Sequence, residues 1–171
     1  MMTPGLCVKK ARSWMDEARN LVRIAVMQGT DEEHPMLSNM YEKIIRSRLE
    51  ERRLLTTRVE LVQPLYVPVN VSAIVYVKLH YDNADKAIEE VVKQKVDYTT
   101  TDRNFGQILK FDEIFHAIEM LECVEYVYEL SLKPGPGGGA RLKDADVQPG
   151  NNCLLYPGDI RIEVLRFDDD H

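Results

Sequence analysis

The side chains with the strongest intrinsic chemistry are thinly spread along this sequence. His34, His80, His116 and His171 lie far apart, and none sits at a metal-binding spacing from another histidine or from Cys7, Cys123 or Cys153. His80-Tyr81-Asp82, at a strand end, offers two ligands where a zinc site takes about three or four. His116 falls beside the apolar stripe of a helix, the usual setting of a hydrogen-bonded structural histidine. The serines number five, none in a Gly-x-Ser-x-Gly turn, and no cysteine has a nearby histidine that would lower its pKa. Glu89, Glu90, Asp112, Glu113, Glu119 and Glu122 supply carboxylates, but on helix faces where solvated charge is the default.

Gly135-Pro136-Gly137-Gly138-Gly139 suggests a phosphate cradle. Such a loop needs a following Lys-Ser/Thr and a helix N-terminus, whereas Ala140-Arg141-Leu142-Lys143 leads into more loop, so a flexible linker is expected. A small catalytic domain concentrates titratable groups around one cleft, and this chain scatters them. The reading is therefore of a non-enzymatic protein with no catalytic, cofactor-binding or metal-binding residues.

The elements that would position any site are bounded by composition. The chain has 171 residues, 44% hydrophobic and 29% charged, with a formal net charge of -6. That length fits one domain or two small ones and excludes a disordered or collagen-like chain. No stretch approaches the ~18 uninterrupted apolar residues of a membrane span, and Lys9 and Lys10 follow too short an apolar piece for a secretory signal. Three cysteines cannot make an even disulfide framework and read as free thiols of a reducing compartment; the sequon Asn70-Val71-Ser72 is discounted on that ground.

Charge divides unevenly. Residues 1–62 hold 11 Lys+Arg against 9 Asp+Glu, a balance of +2, and residues 63–171 hold 11 against 19, a balance of -8. The basic excess lies in Arg46, Arg48, Arg52, Arg53 and Arg58, and the first four are candidates for a partner-binding surface. Interleaved Glu42, Glu50, Glu51 and Glu60 favour a solvated helix face with ion pairs four residues apart. An acidic chain without a basic arm argues against nucleic-acid binding.

Hydrophobic periodicity predicts the elements. Leu21–Met27 reads as a short strand; after Pro35, Ser38 caps a helix with Met40, Tyr41, Ile44, Ile45 and Leu49 inward, ending near Arg53. Thr57–Val62 is a strand. From Val67 to Leu79 every odd position is apolar, the clearest strand in the chain, with Pro68 implying an edge position. Asp82-Asn83 caps a helix with Ala87, Ile88, Val91, Val92 and Val96 inward, and Asp112 caps another with Ile114, Phe115, Ile118 and Leu121 inward. Val124, Tyr126, Tyr128, Leu130 and Leu132 alternate as a strand, residues 134–158 form a long Gly/Pro-rich loop, and Ile160, Ile162 and Val164 return as a hairpin arm beside Val124–Leu132. Tyr66 and Tyr76, on outward positions, either form a docking surface or pack under a helix.

The expected fold is α+β, helices packed on mainly antiparallel sheets in two small α/β sandwich units. The divisions are an N-terminal extension over 1–20, a strand-helix-strand unit over 21–62 and a larger unit over 63–171. A regulatory module that holds a small molecule between helix and sheet is the alternative reading.

The run from Leu49 to Val71, with an Arg-rich helix end, Leu-Thr-Thr and then Pro64-Leu65-Tyr66-Val67-Pro68-Val69, resembles the C-terminal half of the baseplate J-like family. The order continues with a helix at Ala84–Val96, Phe105-Gly106 before a short strand, a helix at Asp112–Leu121, and Val124-Glu125-Tyr126-Val127. The chain departs from the family at Cys123-Val124, where Gly-Val is usual, and at Thr101–Asn104, where a Gly-rich turn is usual. The resemblance implies a fragment or shortened relative of a structural wedge subunit of a contractile phage tail, prophage or related injection apparatus. It implies contacts with other baseplate and tail proteins or with further copies of itself, no nucleic acid, membrane or small-molecule substrate, assembly in the bacterial cytoplasm, and residence in the virion tail or apparatus baseplate.

Overall fold

A computed structural model describes residues 8–30, 32–52 and 58–167; the side chain of Arg52 lies outside the description. Among the described residues three helices and eight strands make an α+β fold, divided into two compact units. The first comprises Met1–Tyr66, Asn104–Gln107 and Gly150–Leu154, and the second Val67–Arg103, Ile108–Pro149 and Leu155–His171.

The first unit is built on strands β1 (Val8–Asp16) and β2 (Leu21–Gln28), helix α1 (Asn39–Arg52) and strand β3 (Val59–Val62). Residues 8–16, expected within an N-terminal extension, instead pair antiparallel with β2 from Ala11↔Val26 to Asp16↔Leu21. β3 joins the other side of β2 in parallel, Val22↔Val59 through Ala25↔Val62, with α1 as the crossover that a parallel pair requires. This sheet is therefore mixed. As its middle strand, β2 buries Ala25, Val26 and Met27 in succession, on both faces.

Ser38 caps α1 as expected, its Oγ accepting from the Tyr41 amide at 3.1 Å. Tyr41 and Ile45 enter a core with Val26, Leu37 and Leu61, flanked by Ile24 and Leu49. Met40 and Ile44, expected inward, are 75% and 38% exposed. A three-stranded sheet accommodates only the narrow i, i+4, i+8 stripe of Tyr41, Ile45 and Leu49.

Two later segments are held to this unit by polar contacts. The Arg12 guanidinium donates to the Phe105 carbonyl at 2.7 Å and the Asn104 amide donates to the Ala11 carbonyl at 3.0 Å. Asn152 accepts from the Leu65 amide at 2.9 Å and donates to Gln63 at 3.0 Å.

Strand β4 (Leu65–Val77) leads into the second unit, followed by α2 (Ala84–Val96), α3 (Phe111–Glu119), β5 (Val124–Pro134), β6 (Ala140–Lys143), β7 (Asp146–Pro149) and β8 (Cys153–Leu165). The sheet order is β5-β4-β8. The period of two in β4 holds: Val67, Val69, Val71, Ala73, Val75 and Val77 are all buried. Three expectations change here. β4 is the central strand, not an edge; β8 pairs with β4, not beside β5; and residues 134–158 are not one loop but contain the β6–β7 hairpin and the start of β8.

Pro68 is compatible with a central strand because it lies next to the end of the β4–β5 ladder, whose last pair is Val69↔Pro134, and because glycines face its ring. A Cβ on Gly135 would lie 2.6 Å from Pro68 Cγ, and one on Gly158 would lie 3.2 Å from Pro68 Cβ. The pyrrolidine ring cannot rotate away. Gly135→Ala should cost about 1–3 kcal/mol through overpacking, and adding Pro68→Ala should recover most of it in urea melts of the double variant.

α2 buries Ala84, Ile88, Val92 and Val96, every fourth residue, leaving Ala87 exposed. Asn83, in the left-handed region at φ 60, is its N-cap and makes no side-chain cap bond. α3 starts one residue earlier than expected. Asp112 lies in its first turn, and the cap is remote: Asp146 at the start of β7 accepts from the Phe111 amide at 2.7 Å. Asp146→Ala should destabilise the unit by about 0.5–2 kcal/mol, while Asp112→Ala should change the thermal midpoint far less.

In β5 the expected alternation slips. A register shift against β4 between Ile74 and Val75 turns Val127 inward and leaves Tyr126 and Tyr128 exposed, and a second, between Tyr76 and Val77, returns Val124 to the buried face.

Candidate functional site

The residues with intrinsic chemistry stay apart in three dimensions. His80 and His116 are exposed, and His34 packs its ring 4.8 Å from that of Tyr66. Cys123 and Cys153 are buried, and burial pushes the Cys153 thiol pKa up, away from nucleophile chemistry. His171 and Cys7 lie outside the described residues. No group of three or more His, Cys, Asp or Glu side chains converges among the described residues. Gly137, Gly138 and Gly139 all take positive φ and make the turn between β5 and β6, where only glycine adopts that backbone freely.

Of the four candidate arginines, Arg46 is tied to Glu42 at 2.7 Å, the i, i+4 pair anticipated for a solvated face. Arg48 is exposed, and Arg53 and the side chain of Arg52 lie outside the described residues. Tyr66, expected outward, is half-buried and donates its hydroxyl to the Pro35 carbonyl at 2.6 Å.

Sequence reasoning missed Arg103, which lies in the polar stretch Thr99–Gly106 without helix or strand periodicity. Its guanidinium is the one buried charge of the described residues, donating to the carbonyls of Lys95 and Val96 at 3.0 Å each and lying 3.4 Å from Glu113. It thereby satisfies the C-terminal carbonyls of α2 and links that helix to α3. Desolvation lowers its pKa from the usual arginine value, opposed by Glu113. A basic residue shortly after a helix end was the only available signal.

The feature that could act on another molecule is the solvent face of the β5-β4-β8 sheet. β4 presents Asn70, Ser72, Ile74 and Tyr76 on this face, paired with Lys133, Ser131, Glu129 and Tyr126 of β5. At one end the rings gather: Tyr76 stacks on Tyr126 and on Phe167, both at 4.8 Å, and meets Tyr128 edge-on at 6.1 Å. Tyr128 is 64% and Phe167 52% exposed. Desolvation, and then the proximity of Tyr76, raises the Tyr126 phenol pKa above its ordinary value. At the other end lies a shallow hollow of about 410 Å³ lined by Asn70, Ser72, Glu129, Ser131, Lys133, Asp159 and Arg161. By contrast Ile88, Val92, Ile114 and Ile118 on the inner faces of the helices are wholly buried, in the position an effector held between helix and sheet would need.

Among solved structures, the fold is similar to that of a chain in the cryo-EM structure of the anti-feeding prophage (AFP) baseplate, six-fold symmetrised, with a TM-score of 0.63. The two share a fold. The match covers 87% of this chain at 15% identity and 33% of the AFP chain, so this protein spans about a third of the length of that one. No family model matches the sequence, and no curated protein matches it. Among the described residues no helix is long and apolar enough to cross a membrane.

Proposed function

We propose that this protein is a structural subunit, of baseplate J-like type, in the baseplate of a contractile phage tail or phage-tail-like injection apparatus. It works in the wedge by protein contacts, without catalysis or cofactor, assembling in the bacterial cytoplasm and residing in the finished tail. The observation that supports this most is the fold shared with the AFP baseplate chain along 87% of the sequence. The scatter of histidines, buried cysteines and carboxylates fits the same reading.

Co-expression with the products of neighbouring genes tests it. Tail-tube, sheath or spike proteins should co-purify with the tagged chain and give baseplate-like particles by electron microscopy; a chain that captures none of them contradicts the role. Within that role the arginine cluster Arg46, Arg48, Arg52 and Arg53 is the proposed partner surface. Reversing all four charges should abolish capture, with Arg46 contributing less than Arg48 because it is already paired with Glu42. Undiminished capture by the reversed chain removes this surface from the proposal.

A further inference from the structure

We infer that the solvent face of the β5-β4-β8 sheet is a two-fold interface for a second copy of this chain. Four exposed or half-exposed strand positions around the hollow carry Glu129, Lys133, Asp159 and Arg161, two anions and two cations, on a chain whose net charge is -6. None of these four side chains is ion-paired among the described residues. A neutral patch is where two acidic chains can approach without net repulsion. A two-fold contact also demands a surface complementary to itself, which a mixed-sign set satisfies and a single-sign set does not.

The register shows how the charges would meet. Lys133 pairs with Asn70 on one side of β4, and on the other the Asp159 amide donates to Asn70 Oδ1 at 2.9 Å, so Lys133 and Asp159 flank Asn70 across the sheet. Glu129 lies two rows along, opposite Ile74. A two-fold axis running along β4 lays β5 of one copy over β8 of the other. Lys133 then faces the partner's Asp159, and Glu129 turns toward the partner's Arg161. The same operation brings the Tyr76, Tyr126 and Phe167 rings of the two copies together, supplying an apolar contact at the far end of the strands from the hollow.

The test is sedimentation velocity of the full chain over a concentration series, with K133E/R161E and E129K/D159K variants whose folding is verified by circular dichroism. The wild-type chain should show reversible dimerisation that weakens as salt rises. Each variant alone should lose the dimer, since its face becomes wholly acidic or wholly basic. An equal mixture of the two should restore a dimer, because every reversed charge then meets its opposite. A wild-type chain that stays monomeric at every concentration overturns the inference, whether the face takes another protein or none. Dimers that persist in both variants, or a mixture that stays monomeric, overturn it equally. It goes beyond the proposed baseplate role and stands apart from it: a monomeric chain that still captures tail proteins defeats this interface alone, and a dimer that captures none defeats the role alone.

Discussion

Ile88→Ala should remove about 3–4 kcal/mol from the stability of the second unit, a large part of the margin of a small domain. Ile88 is wholly buried in the stripe of Ala84, Ile88, Val92 and Val96, and α2 and α3 pack against one another beside the sheet. Truncation removes three methyl or methylene groups and leaves a void walled by elements that cannot collapse independently, so the transfer and cavity terms add. The exposed neighbour Ala87 provides the control: Ala87→Ser on the same helix should stay within about 0.5 kcal/mol. Urea unfolding followed by circular dichroism would measure both, and equal effects at the two positions would show that α2 is not anchored by this stripe.

Arg103→Ala should cost about 2–3 kcal/mol, by a different mechanism. The guanidinium is 8% exposed while its partner Glu113 is 50% exposed, so water can solvate the carboxylate once the arginine is gone. The damage lies with the carbonyls of Lys95 and Val96, which lose charge-assisted donors at the C-terminal end of α2. Glu113→Gln should therefore cost well under 1 kcal/mol, as expected of a partly solvated ion pair. Arg103→Lys should recover little, because a single ammonium lacks the planar fork that reaches two carbonyls while pairing with Glu113. A loss for Glu113→Gln equal to that for Arg103→Ala would place the energy in the ion pair instead of the helix cap.

Arg103 also shows why parts of this molecule were illegible in its sequence. Its neighbours Thr99–Asn104 are polar, and a window of that composition reads as surface loop. Nothing local records that the chain folds back over the end of α2. Asp146 behaves in the same way: it caps a helix that begins 35 residues earlier, a relation fixed by the path of the chain and not by any spacing rule. Tyr126 illustrates the third failure. The period of two places it in phase with Leu130, but a single register shift against β4, between Ile74 and Val75, turns it onto the solvent face, and a bulge leaves no reliable trace in side-chain pattern.

The sequence by itself determined those features in which a residue's fate depends on neighbours two to four positions away. The period of two in Val67–Val77 requires one buried face, the four-residue spacing of Ile88, Val92 and Val96 requires one buried helix stripe, and Ser38 can cap only the helix that follows it. It also determined the lack of any metal or nucleophile spacing. The tertiary structure alone decided which strand lies at the centre of a sheet. Pro68 reads as an edge residue, yet β4 is flanked on both sides because Gly135 and Gly158 leave room for its ring. Strand order and inter-strand register are set by contacts between residues tens of positions apart, and their cost in loop entropy rises too slowly with chain length for the sequence to rule distant pairings out. The same long-range pairing assembles Glu129, Lys133, Asp159 and Arg161 into one face, from strands that the sequence alone would have arranged differently.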